Sequence, residues 1–131
     1  YQGRVGCVDA SSGATRWAKE FSSEVGLGAD ERNVYGVDER GNVNAFTYDA
    51  GVSVWRNNTL ANRRLAAPVA VGRALAVGDY QGYMHFLSRE DGALLARNPS
   101  DGSQVIGTPA VNGNTVIFQT QAGTVAALTA E

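Results

Sequence analysis

The chain has little of the side-chain chemistry that catalysis and metal binding draw on. Its 131 residues include one cysteine, Cys7, and one histidine, His85. A lone cysteine excludes an intrachain disulfide, a thiolate zinc site or a vicinal redox pair within this chain. A lone histidine excludes a multi-histidine metal site and most acid–base constellations. Charge excess of either sign is also missing: 11 basic residues, ten of them arginine, face 13 acidic ones for a net of -2. That balance gives no footprint for a polynucleotide or an anionic membrane surface, so no nucleic-acid partner is expected. No stretch approaches the roughly 18 apolar residues of a membrane-spanning helix. No charged segment followed by an apolar run marks a leader. Sustained helical periodicity is absent throughout. The remaining composition, 44% apolar and 18% charged with mean hydropathy -0.20, is that of one folded globular domain.

What the chain does have is glycine, 16 in all, and the excess is periodic. Gly3, Gly41, Gly82 and Gly123 recur at a nearly constant interval, opening the phrases GRVGCV, GNVNAF, GYMHFL and GTVAAL. Ten positions after the first three of these come Gly13, Gly51 and Gly92, and four positions further Trp17, Trp55 and then Ala96. Pro68 and Pro109, and Gly72 and Gly113, repeat the same step. A period of about 40 residues denotes stacked structural units.

Within each unit, apolar runs of four to six residues alternate with turn residues, the pattern of a strand meander. One frame predicts strands at 67–71, 74–77, 83–87 and 94–98, and Asn112-Gly113 predicts a two-residue hairpin turn. Four antiparallel strands in each repeat describe a blade of a β-propeller. The expected fold is therefore all-β, with two complete and two partial blades, divided as 1–23, 24–62, 63–103 and 104–131. Three to four blades do not close a ring, so a propeller of more blades than these residues supply is expected, and the open strand edges make self-association plausible.

The phrases CVDASSGATRW (7–17) and AFTYDAGVSVW (45–55) resemble the signature of quinoprotein-type propeller repeats, Ala-x-Asp-x-x-x-Gly-x-x-x-Trp. Cys7 replaces its alanine, Thr47 its aspartate, and the copy at 86–96 keeps only Gly92. The segments at 51–69, 75–96 and 123–130 resemble more narrowly the carboxy-terminal blades of the BamB family of outer-membrane protein assembly factors. That resemblance implies an eight-bladed, non-catalytic lipoprotein scaffold at the periplasmic face of the outer membrane. It also implies as partner the POTRA modules of the insertase BamA, and no cofactor. Membrane attachment would come only through a lipid anchor outside these residues, since Cys7 falls within a strand. The contrasting possibility is the tail of a quinoprotein dehydrogenase, which shares the repeat but needs adjacent cysteines, a calcium site and a catalytic carboxylate.

The chemistry-bearing residues read mostly as structure. His85, between Met84 and Phe86, reads as packed within a strand, and no nucleophile elbow accompanies it. Asp30-Glu31, Asp38-Glu39 and Glu90-Asp91 fall at hairpin turns, where carboxylates cap amides, and none has the spacing of a calcium loop. Gly26-Leu27-Gly28 lacks the third glycine and the helix of a phosphate cradle and reads as a repeat-entry strand. No catalytic, metal or cofactor residue is therefore expected. Trp17 and Trp55, with Gly13, Gly51 and Gly92, are expected to dock adjacent blades. The connection RNNTLANRRLAAP (56–68) gathers Leu60, Arg63, Arg64 and Leu65, a composition common at interfaces and a candidate protein-contact patch; the alternative turns Leu60 and Leu65 inward and leaves the arginines solvated.

Overall fold

Short apolar runs of alternating burial, each closed by a glycine or aspartate turn, fold as strands that pair with their nearest neighbours in sequence. The computed structural model describes residues 3–23 and 25–130. The expected unit limits at 1, 24 and 131 lie outside the described residues. Four antiparallel meanders follow one another. The first contains β1 (Arg4–Val8) and β2 (Thr15–Glu20). The second runs through β3 (Gly28–Ala29), β4 (Asn33–Val37), β5 (Val43–Thr47) and β6 (Ser53–Asn57). The third runs through β7 (Val69–Val71), β8 (Ala74–Gly78), β9 (Met84–Ser88) and β10 (Leu94–Asn98). The fourth holds β11 (Val105–Asn112), β12 (Thr115–Thr120) and β13 (Val125–Thr129). The described residues contain no helix.

The third sheet is covered on both faces, and period-2 alternation sorts its side chains between two cores. Leu75 and Val77 of β8 and Leu87 of β9 join Tyr35, Val37, Val43 and Ala45 of the second sheet. Ala74, Ala76, Met84 and Phe86 join Val105, Val116 and Phe118 of the fourth. Every residue of β8 is buried, so this strand is apolar without a break where an edge strand alternates. Sheets converge closely at their first strands. A Cβ at Gly28 would lie 2.3 Å from the Pro68 carbonyl oxygen, so only glycine permits that approach.

The turns between second and third strands share one construction. Asp38 accepts hydrogen bonds from the amides of Arg40 and Asn42, and Asp79 from those of Gln81 and Tyr83. Thr120 occupies the same frame position, and its hydroxyl accepts from the Thr124 amide. The missing carboxylate there is supplied by Asp101, which accepts from the hydroxyls of Thr120 and Thr124 at 2.6 Å each.

One expected turn is displaced. Asn112 pairs with Thr115, so the two-residue loop is Gly113-Asn114, with Gly113 alone at positive φ (60°). Glycine leads the pair, as in a type II′ hairpin, whereas the Asn-Gly reading needed positive φ at both positions. Val71-Gly72-Arg73-Ala74 repeats this geometry with Gly72 at 55°.

Candidate protein-contact site

Between the second and third sheets, the chain runs from β6 to β7 through residues 58–68, held at both ends by buried polar contacts. The Asn57 amide donates to the Gly92 carbonyl at 2.6 Å, and its oxygen accepts from the Thr59 amide and hydroxyl at 2.7 Å each. The Ala66 amide donates to the Gly78 carbonyl, and the Tyr80 amide to the Arg63 carbonyl. Between these anchors, Asn62 and Arg64 take left-handed conformations, φ 70° and 53°. Non-glycine residues seldom adopt this region, at a cost of about 1 kcal/mol or more each. Leu60 and Leu65, on either side of these two residues, are both turned inward.

For the two leucines the structure takes the inward alternative. Leu60 is fully buried and Leu65 is 7% exposed, both within the core between the second and third sheets. Burying two aliphatic side chains under the connection outweighs presenting them. The arginines separate as well. Arg63 is directed at the buried Asp79 carboxylate, 3.4 Å away. Arg64 is exposed and lies over the exposed Tyr80 ring, 5.2 Å from its centroid. Tyr80 was not foreseen; its place directly after Asp79 in the β8–β9 turn and its large polar ring were the available signal.

Arg64 and Tyr80 stand on the rim of an open groove of about 690 Å³ bounded across from them by Glu39 and Arg40 and floored by Val25 and Leu65. The Asp38 side chain also reaches the groove, but it accepts from Asn42 and Asn44 amide groups as well as the turn amides. Burial pushes its pKa up, yet those hydrogen bonds outweigh burial and hold it below the ordinary aspartate value. Asp38 is thus committed to its turn, and the exposed charges of the groove are Glu39, Arg40 and Arg64. Gly41 sets the distance between turn and connection: at φ 85°, its Cβ would lie 3.2 Å from Ala61 and Asn62 backbone atoms.

Each tryptophan lies against the following sheet. A Cβ on Gly51 would come within 2.6 Å of the Trp17 ring, and one on Gly92 within 2.4 Å of the Trp55 ring. The indole Nε1–H of Trp17 donates to the Tyr48 carbonyl, and that of Trp55 to the Arg89 carbonyl, each three positions before the glycine. Two positions after each indole, Lys19 and Asn57 donate to the carbonyls of Gly51 and Gly92. Gly13 differs, because a Cβ there would meet nothing within 4 Å among the described residues, and its φ of 74° alone selects glycine. Across the same junction, Arg89 pairs with Asp30, which also accepts from the Tyr35 hydroxyl. Among the described residues, no three His, Cys, Asp or Glu side chains are grouped to hold a metal ion.

The family model described as outer membrane protein assembly factor BamB matches residues 1–57 and 39–131. The chain belongs to the BamB family. The BamB of Bordetella pertussis is 46% identical over 124 residues and that of Burkholderia pseudomallei 43% over 123, in each case 94% of this chain and 32% of the relative. The crystal structure of BamB from Moraxella catarrhalis superposes with a TM-score of 0.87 at 30% identity, over 97% of this chain and 38% of that one. The chain thus spans about a third of the length of these BamB relatives. Its meanders have the form of BamB propeller blades, as the repeat predicts.

Proposed function

We propose that the protein carrying this chain is a non-catalytic scaffold in the assembly of outer-membrane β-barrel proteins, working at the periplasmic face of that membrane through protein contacts. The observation that carries this reading is the match to the BamB family across the whole chain, since its relatives are named as outer membrane protein assembly factors. The proposed partner is the set of POTRA modules of BamA. Each meander serves as one blade, with limits at 1–23, 24–62, 63–103 and 104–131. Trp17 and Trp55, seated on Gly51 and Gly92, hold neighbouring blades, leaving the groove at Arg64 and Tyr80 as a rigid secondary contact face.

An arginine and a tyrosine side by side have the composition of interface hot spots. The test is binding of the intact protein to the periplasmic modules of the insertase. Arg64→Glu and Tyr80→Ala should each weaken it by about tenfold or more, the effect of a residue contributing above ~1.4 kcal/mol. Leu60→Ala should instead lower stability by about 2–5 kcal/mol, as a cavity-forming substitution does. Unchanged affinity in both surface variants removes this connection from the contact face. Absence of all binding by the unmodified protein, with a quinone absorbance in the same preparation, overturns the scaffold reading.

A further inference from the structure

Inside the third sheet lies a chain of buried polar groups that the scaffold reading does not use. His85 on β9 is fully buried, and its Nε2 is 2.8 Å from the Asp79 carboxylate, itself 1% exposed. On the other side of the ring, Arg97 of β10 donates its Nε–H to His85 Nδ1 at 3.0 Å. A guanidinium only donates, so Nδ1 accepts and the imidazole proton resides on Nε2, which donates to Asp79. The ring is therefore neutral with one fixed tautomer. The groups acting on it come from three directions: Asp79 in the β8–β9 turn, Arg97 on β10 and Arg63 in the connection. The Tyr83 ring lies beside it, with centroids 6.2 Å apart. Burial, together with the two guanidinium groups, outweighs the carboxylate and pushes the imidazole below its ordinary value.

The neighbouring sheet solves the same problem without a titrating group. Asp38, Asn44 and Arg56 stand one repeat before Asp79, His85 and Arg97, at the same positions of the frame. There Asn44 donates to the Asp38 carboxylate and pairs with Arg56 across the strands, as His85 pairs with Arg97. In the same frame one sheet thus carries an amide and the next an imidazole. All five residues of β10 are exposed, and among the described residues it is held by its ladder to β9 and the Arg97 bond to His85.

We propose that His85 is a proton-operated latch for β10: a proton arriving at Nδ1 removes the acceptor that holds Arg97, sets two cations side by side, and frees the outer strand of the third sheet. Because the closed form resists protonation and the open form does not, acidification favours opening. The latch is fully closed above the ordinary imidazole pKa and weakens as pH falls below it. One pH unit below an open-state pKa of about 6.5, the opening equilibrium rises about tenfold.

Amide hydrogen exchange of the intact protein tests this, with protection factors corrected for intrinsic exchange at about pH 7.5 and about pH 5.5. Residues 94–98 should lose about tenfold in protection on acidification, while residues 53–57 of β6 lose none. His85→Asn, which copies the neighbouring sheet, should abolish the loss. Unchanged protection of β10 in the unmodified protein, or an equal loss in His85→Asn, overturns the latch. Imidazole nitrogen shifts of the unmodified protein give a second reading that no substitution can disturb. A neutral Nε2–H tautomer persisting below about pH 6 supports the latch, and ordinary titration near about 6.5 overturns it. These readouts require no partner, so the latch can fail while the scaffold reading stands, and the reverse.

Discussion

One added methyl group measures how tightly the sheets are joined. At Gly92 a Cβ would overlap the Trp55 ring at 2.4 Å and would also sit on a backbone at φ 76°. Gly92→Ala should therefore cost about 2–4 kcal/mol, and Trp55→Ala about 3–5 kcal/mol through the cavity it leaves. The double variant should cost less than the sum, because removing the indole relieves the overlap. Urea denaturation of the four proteins checks this; strict additivity would show that the two residues do not press on each other. The turn carboxylates offer a second comparison. Asp79 is 1% exposed and holds two amides, the imidazole and the Arg63 guanidinium, whereas Asp38 is only partly buried. Asp79→Ala should cost about 2–4 kcal/mol and Asp38→Ala about half that, since each holds four donors but water reaches those left at the shallower site. Much at this scale was legible in the sequence, because a repeated glycine or indole states a local requirement wherever it recurs. The inward turn of Leu60 and Leu65 was one of two readings the sequence offered; the left-handed backbone at Asn62 and Arg64 was not legible, since an arginine does not announce that conformation.

At the scale of elements, strand order followed directly from the spacing of turns, as meanders with short loops leave no other pairing. Register at the turns was harder to read. Asn112-Gly113 has the composition of one hairpin type, yet the ladder closes a residue later, and Gly113 leads the loop. Gly113→Ala should cost about 1 kcal/mol, the usual penalty for a side chain in the left-handed region, while Asn112→Ala, on an exposed strand position, should change stability by less than about 0.5 kcal/mol. Thermal unfolding of the two variants distinguishes the placements; the reverse ranking would return the turn to Asn112. The first strand of the second sheet was legible only in part: a repeat-entry strand reads at Gly26-Leu27-Gly28, whereas β3 spans Gly28–Ala29, and the close approach of Gly28 to Pro68 is a contact between sheets that no local pattern encodes.

For the whole molecule, acid should act in two stages of opposite origin. Hydrogen bonds hold Asp30, Asp38 and Asp101 below the ordinary aspartate value, with Asp101 lowered most through Ser103, Thr120 and Thr124. Their stabilisation is present above the unfolded-state aspartate pKa of about 3.9 and is lost as pH falls through the lower folded values. His85, pushed down rather than up, stays neutral in the fold, so its contribution begins to fall earlier, below about pH 6.5. The urea midpoint of the intact protein should then decline first between about pH 7 and 5 and again below about pH 4, and His85→Asn should remove the first decline alone. A single decline shared by both proteins would contradict this division. The two-stage behaviour rests on contacts between residues far apart in sequence, which is why composition alone gave no hint of it.

The indole contacts also have a direction. In both, the tryptophan lies upstream and the glycine that receives it lies downstream in the next unit, Trp17 before Gly51 and Trp55 before Gly92. A chain delivered amino end first, from a ribosome or through a translocation channel, presents each indole before its seat exists. For the time needed to deliver the intervening segment, the ring stays uncovered in solvent, and the arrival of the next hairpin ends that interval. Each indole thus depends on the following unit for its cover, so synthesis order leaves an adhesive ring unseated until its successor has emerged.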